Sequence, residues 1–404
     1  MKNTFFGRGQ LRPDGEARRG AILILAAAML FVVMAFAAFT VDFGMVTLTK
    51  GHMQSAADSA AHAATLEIAR SFGPGGELTA QAAEDIARER AVEMVARFRT
   101  GDVSSSQADS VRDVRVGRRT WSSAGQQWVE EWGVAPYNMV EVTVRRTTAD
   151  TTALPMTFAQ VLGQDSFELT ATSVAALAPG VGFSLPGGGN GTSPTTTIDI
   201  LPIALDLGSW TDLVAQCYDG TNNGYDDEYS WTYANGMANN TSDNIPEINM
   251  YPDLNSGDAP GNRGMVDLGA AGNSTADIKR QIVDGLNAYD LSFFPNNEIT
   301  FDANGALYLN GDTGISAGVE DALESIIGQI RAIPIFIEVT GQGNNATFTV
   351  VKFVGVRIMD VRLSGGPSKR HLTVQPAPFY CSNVIRGEVE VNVDSLLSQP
   401  VVIR

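Results

Sequence analysis

The sequence predicts an α+β protein on a membrane anchor: one long N-terminal helix, a helix-plus-antiparallel-sheet domain, then a separate α/β domain. Three observations lead there. An uncharged apolar run over residues 21–41 passes Asp42 and enters an Ala-rich stretch with helical spacing. After Arg99 the apolar period changes from helical to alternating. Residues 179–197, PGVGFSLPGGGNGTSPTTT, then offer almost nothing for a core and read as a flexible linker.

At a rise of about 1.5 Å per residue, some 20 helical residues match a hydrocarbon layer about 30 Å thick. A cleavable signal has an apolar core of only about 7 to 15 residues and a small-residue cleavage site. Here the run is longer and the helical pattern continues beyond it, so it reads as a permanent single-pass anchor over residues 20–42. Lys2, Arg8, Arg12, Arg18 and Arg19 precede it, against Asp14 and Glu16. That bias puts residues 1–19 in the cytoplasm and the remaining chain outside.

Met53, Ala56, Ala57, Ala60, Ala61, Ala64 and Ile68 define one face of the continuing helix. Small residues at this spacing suit either a seam with a second helix or ordinary packing on the protein's own domain. On the first reading, Ala60→Leu weakens assembly without unfolding the soluble part. Residues 72–76 break the pattern, and Thr79 caps a second helix reaching Phe98. Residues 111–116, 127–132 and 139–144 read as strands, 155–162 as a short helix and 167–177 as another strand. These elements place the first folded domain at residues 43–178 and the second at 198–404.

The second domain opens on a buried strand, 198–205, and a helix over 209–215. Residues 219–264 are rich in Asn, Asp and Gly and predict a long loop. Helices are expected over 274–286 and 316–330, and a hairpin over 299–309 around Asn304-Gly305, a dipeptide suited to a type I′ turn. Long strands over 333–339 and 347–363 follow. Helices interspersed among strands favour an α/β arrangement.

The chain has 404 residues and a net charge of −17, too acidic for a nucleic-acid partner, which needs clustered Lys and Arg. Arg112, Arg115, Arg118 and Arg119 are the densest basic group and read as a solvated strand face. The two cysteines, Cys217 and Cys381, cannot build a four-thiolate zinc site. An oxidising compartment permits a disulfide between them, with two buried thiols as the alternative.

Asp219, Thr221, Asn223, Gly224 and Asp227 match several positions of a Ca²⁺ loop, but Ser230 stands where the bidentate Glu belongs. A plain turn is the competing reading. Asp253, Asn255 and Asp258 form a weaker cluster. Catalysis has little support. His371 reads as a surface turn residue, and Gly187 to Gly191 lacks the Lys-Ser/Thr of a phosphate loop. The expectation is a non-enzyme without an obligatory cofactor, Ca²⁺ being the one alternative.

Arg18-Arg19-Gly20, Val41-Asp42-Phe43-Gly44, Lys50 and Gln54-Ser55-Ala56-Ala57-Asp58-Ser59-Ala60-Ala61 together resemble the N-terminal region of TadE/TadG-like proteins of Tad (Flp) pilus assembly. The strand-rich middle is similar to the pilin-like part of such proteins. The resemblance implies a structural component anchored in the inner membrane, with pilins, assembly-platform proteins and the bilayer as partners. It makes Asp42, Gly44, Ala56, Ala57, Asp58, Ala60 and Ala64 the residues of partner contact. The alternative is an envelope or surface module that binds Ca²⁺ or glycans on the same kind of anchor.

Two departures narrow the expectation. Leu25 occupies the place of the Glu that prepilins carry five residues after the cleaved Gly, which speaks against a processed, polymerising pilin. Asp206 is followed by Gly208 and Trp210 where a von Willebrand A-type metal motif has serines, so that site is not expected.

Overall fold

The apolar run and the Ala-rich stretch form one unbroken helix, α1 (Gly15–Ala69), of 55 residues. The computed structural model describes residues 15–150, 152–185, 197–220, 223–251, 263–269, 274–341, 343–366 and 369–404. Lys2, Arg8, Arg12 and the cluster Asp253, Asn255 and Asp258 therefore lie outside the described residues. By compactness the chain forms two units.

The first unit comprises the chain up to Ala56, Ala96–Gln107 and Val144–Ala171. From Ile22 to Phe43, and again at Leu48, the large apolar side chains of α1 are exposed. Beside them the short strands Leu154–Pro155 and Ser166–Phe167 pair antiparallel. They flank a 3-10 turn, Ala159–Leu162, that ends on Gly163 at φ 83°. A short helix expected over 155–162 is thus reduced to this turn, because Pro155 belongs to a strand and Gly163 stops the turn at once. Buried Arg146 holds the unit together. Its guanidinium donates to the carbonyls of Thr100 (2.9 Å) and Thr152 (2.6 Å) and to Asp102 (2.6 Å).

The second unit comprises Ala57–Val95, Ala108–Thr143 and Thr172–Arg404. Its helix α2 (Ala80–Ala96) starts where Thr79 Oγ1 accepts the Ala82 N–H at 3.2 Å, as the sequence predicts. Glu67 on α1 binds Arg90 on α2 at 3.3 Å. Strand Val114–Ser122 pairs antiparallel with Gln127–Trp132 on one side and Met139–Arg146 on the other. The C-terminal strand Val401–Val402 pairs with Ala175 and Ala176.

The remaining sheet is built around a ring. Strands Ile203–Asp206, Arg263–Val266, Leu307–Asp312, Ala346–Arg362 and Ile330–Thr340 pair in that order, and the last pairs back to the first. Only the pairing of Ile335 and Phe336 with Leu205 and Asp206 is parallel. The expected α/β arrangement is therefore replaced by a mainly antiparallel closed sheet. Parallel sheets need a helical crossover between successive strands, and here long strands such as 330–340 and 346–362 follow one another through a short turn.

Side chains alternate across this sheet with period two. Ala204, Val266, Leu309, Phe336, Phe348 and Val350 join one buried cluster. Ile203, Leu205, Ile335, Val354 and Val356 join another, against Trp210 and Leu213 of helix α3 (Leu207–Asp219) and Ile278 and Ile282 of helix α4 (Thr275–Asp284). Phe348 takes its space from glycines on two neighbouring strands. A Cβ at Gly264 would lie 2.4 Å from its ring, and one at Gly311 2.8 Å.

Three further elements differ from expectation. Residues 299–309 do not form a hairpin. Strand Glu298–Thr300 pairs with Gly180–Ser184, while Leu307–Asp312 joins the ring. Long-range pairing outweighs the local turn signal, which is spent on Asp302 accepting the N–H groups of Asn304 and Ala306. The helix expected over 316–330 shrinks to the 3-10 turn Ala317–Val319 and helix Glu320–Glu324. Gly180–Ser184, inside the segment read as linker, is a strand, and residues 186–196 lie outside the described residues.

Candidate functional site

The motif Val41-Asp42-Phe43-Gly44 sits where the uncharged apolar run of α1 ends. Asp42 is only 6% exposed. Its carboxylate accepts three consecutive backbone N–H groups, from Thr157 (2.9 Å), Phe158 (3.0 Å) and Ala159 (2.7 Å). These are the donors that a 3-10 turn leaves without partners at its start. A charged acceptor satisfying several such donors makes short, strong hydrogen bonds. One side chain of α1 therefore ties down the start of the turn in the 154–167 segment. Eight residues on, the Lys50 amine donates to the Thr170 carbonyl and fixes a second point.

Gly44 is exposed, with nothing within 4 Å of where a Cβ would stand. Ala56, Ala57, Ala60 and Ala64 are all fully buried. Their methyl groups are covered by the protein's own chain, which is the packing alternative the sequence left open. Thr65 follows the same face, and its hydroxyl donates to the Ala61 and Ala175 carbonyls. Asp58 is half-buried.

The Asx-rich loop organises itself differently from the spacing. Thr221 and the side chain of Asp219 lie outside the described residues. Asn223 donates its amide to the Asp212 carbonyl (2.7 Å) and its backbone N–H to Gln216 (2.9 Å). Asp227 accepts from Ser242 Oγ (2.6 Å) and from the N–H groups of Asp243 (3.0 Å) and Asn244 (2.8 Å), which caps that turn. It stands with Asp243 and Glu247, their carboxylate oxygens within 4.8 Å of one another.

Glu247 is buried, and desolvation pushes its carboxyl up to about 8, helped by the charges of Asp227 and Asp243. Burial also raises Asp243. This grouping has no local sequence signal, because Glu247 lies in the apolar stretch Ile245-Pro-Glu-Ile248.

Cys217 and Cys381 are free thiols, so the optional disulfide does not form. Cys217 lies on α3 and Cys381 on strand Tyr380–Cys381. Burial pushes the Cys217 thiol up to about 12 and raises Cys381 as well. His371 is not in a turn but on strand His371–Pro376. Its Nε2 lies 2.8 Å from Asp360, which also accepts the Tyr229 hydroxyl at 2.9 Å. The polar residues before it hid a register that pairs His371 with Arg362.

The arrangement is that of a protein with one long apolar helix, α1, the only described helix long and apolar enough to cross a membrane. Residues 20–82 match the Tad family model, Flp pilus-assembly TadE/G-like. That segment thus belongs to the TadE/G-like family of Tad pilus assembly. The matched residues contain Asp42, the Ala stripe and the Thr79 cap. No curated protein and no solved structure matches the chain.

Proposed function

We propose that the protein is a non-enzymatic, membrane-anchored structural component of a Tad-type pilus or secretion apparatus. The observation that carries this reading is the continuity of α1 across two environments. The part up to Leu48 exposes large apolar side chains, and from Met53 onward one face is buried, all within one helix. The basic residues before the span orient it with the N-terminus in the cytoplasm and the folded chain outside the inner membrane.

Partner helices, from pilins or assembly-platform proteins, dock on the apolar half. Ala26, Ala27, Ala28, Ala35 and Ala37 are exposed there and allow close backbone approach. The test is gentle solubilisation of the full-length protein from its native membrane, with mass spectrometry of its companions and its N-terminus. Pilins or platform proteins recovered with a chain that retains residues 1–20 support the reading. A chain beginning at Ala21 in shed filaments overturns it in favour of a processed pilin-like subunit.

A further inference from the structure

The 154–167 segment carries a surface that its hydrogen bonds do not explain. Phe158, Val161 and Phe167 point outward, Val161 being 89% exposed. From Thr157 to Gln164 there is no charged residue. The backbone there is nonetheless well satisfied. Asp42 takes the N–H groups of Thr157, Phe158 and Ala159, while Val161, Gly163 and Gln164 donate to Phe158, Gln160 and Ala159. Exposed apolar side chains over a backbone whose N–H groups are largely bonded suit a layer poor in water, where a bare N–H is costly.

We infer that the segment lies in the interfacial layer of the bilayer beside the α1 span, as a second membrane contact held in place by Asp42. This rests on the reading of α1 as a membrane anchor. Depth supports it. The apolar surface of α1 does not stop at Asp42, because Phe43 and Leu48 are exposed beyond it. Six helical residues from Asp42 to Leu48 span about 9 Å, and interfacial elements bury their apolar faces about 5–10 Å into the headgroup and acyl boundary. The turn bonded to Asp42 stands at that depth, and aromatic residues such as Phe43, Phe158 and Phe167 are at home where chains meet headgroups.

The occupant is lipid, because Phe158 is exposed on the turn bonded to Asp42, where the uncharged apolar run of α1 ends and exposed Phe43 and Leu48 extend its apolar surface. Asp42 then has a defined task. It turns its charge towards three N–H donors, away from lipid, and makes the segment's position follow that of α1.

The test uses full-length protein in phosphatidylethanolamine–phosphatidylglycerol vesicles, with Cys217→Ser and Cys381→Ser as background. An environment-sensitive nitrobenzoxadiazole label is placed by Val161→Cys, with Phe31→Cys as the reference for the span and Ser104→Cys as the exposed reference. Spin-labelled lipids serve as quenchers. The label at 161 is expected to be blue-shifted and quenched by headgroup-proximal spin labels, and the label at 31 by deep ones. If 161 behaves like 104 while 31 is quenched, the inference is overturned and the anchor stands. If 31 is unquenched, both fall. Adding Asp42→Ala is expected to abolish quenching at 161 and spare it at 31; unchanged quenching at 161 overturns the part assigned to Asp42.

Discussion

Asp42 and Ala159 are joined by a 2.7 Å hydrogen bond across 117 positions of sequence. With the bonds to Thr157 and Phe158, it ties a motif of α1 to the start of the turn at 159–162. Asp42→Ala removes both acceptor oxygens and with them all three hydrogen bonds, while Asp42→Asn keeps one oxygen. Hydrogen exchange is expected to accelerate at the amides of 157–159 in the Ala variant, less in the Asn variant, and not at 57–69. Unchanged protection in Asp42→Ala would mean that the turn is held by its own contacts.

Ala60→Leu separates packing from partner contact. A buried alanine has no room for three more carbons, and such overpacking costs typically about 1–3 kcal/mol. Since Ala60 is fully buried, the variant is expected to lower the melting temperature of the protein by itself, before any partner is added. A melting temperature equal to that of the parent chain would restore Ala60 to the role of an external seam.

What the sequence disclosed follows from how local each signal is. The long apolar helix α1, α2 with its Thr79 cap and the strand Gln127–Trp132 were legible because short-range period and capping chemistry determine them. The motif around Asp42 was legible as a motif, yet its partners were not, since nothing in Thr157-Phe158-Ala159 announces a contact so distant in sequence. Glu247 was missed for the same reason. The Asn304-Gly305 hairpin was misread because both flanking strands find better partners in distant strands. Helices between strands spoke for α/β, but the closure of Ala346–Arg362 on two sides is a property of register, visible only in the fold.

That closure yields a sharp prediction at Phe348. Gly264 and Gly311 leave its ring the space a side chain would fill, and backbone atoms crowd them as well, Asp312 O at 2.6 Å from a Cβ at 264 and Met265 O at 2.3 Å from one at 311. Gly311→Val is expected to destabilise by about 1–3 kcal/mol or more, since neither neighbour can move far. Phe348→Ala removes a fully buried ring and should cost about 3–5 kcal/mol. In the double variant Phe348→Ala/Gly311→Val the loss should be less than the sum, read by urea titration. Simple additivity would show that the two positions do not share one space.

The two thiols predict a negative result with a clear sign. Cys217, held up to about 12 by burial, is protonated at neutral pH in the folded chain and a poor nucleophile. Alkylation at pH 8 is expected to be slow for the folded chain and fast in denaturant. Mass spectrometry without reductant should show two free thiols. A Cys217–Cys381 cross-link under those conditions would contradict the fold around α3.

Glu247 gives the pH dependence. Its carboxyl sits at about 8 in the folded chain against an ordinary value of 4.5, chiefly because it is buried and secondarily because Asp227 and Asp243 face it. The folded state thus holds a proton that the unfolded state has released between these values. Below about pH 4.5 both states are protonated and the group's contribution is intact. As pH rises towards 8 the unfolded chain gains by ionising, and stability falls. Glu247→Gln offers a neutral side chain of the same shape whose carbonyl can still accept the Glu228 N–H that now bonds Glu247 at 2.9 Å. Chemical denaturation from pH 5 to 8.5 is therefore expected to show declining stability in the parent and a flatter profile in Glu247→Gln, the variant being the more stable of the two at the alkaline end. Parallel profiles would mean that Glu247 is ionised throughout, with its charge balanced inside the loop.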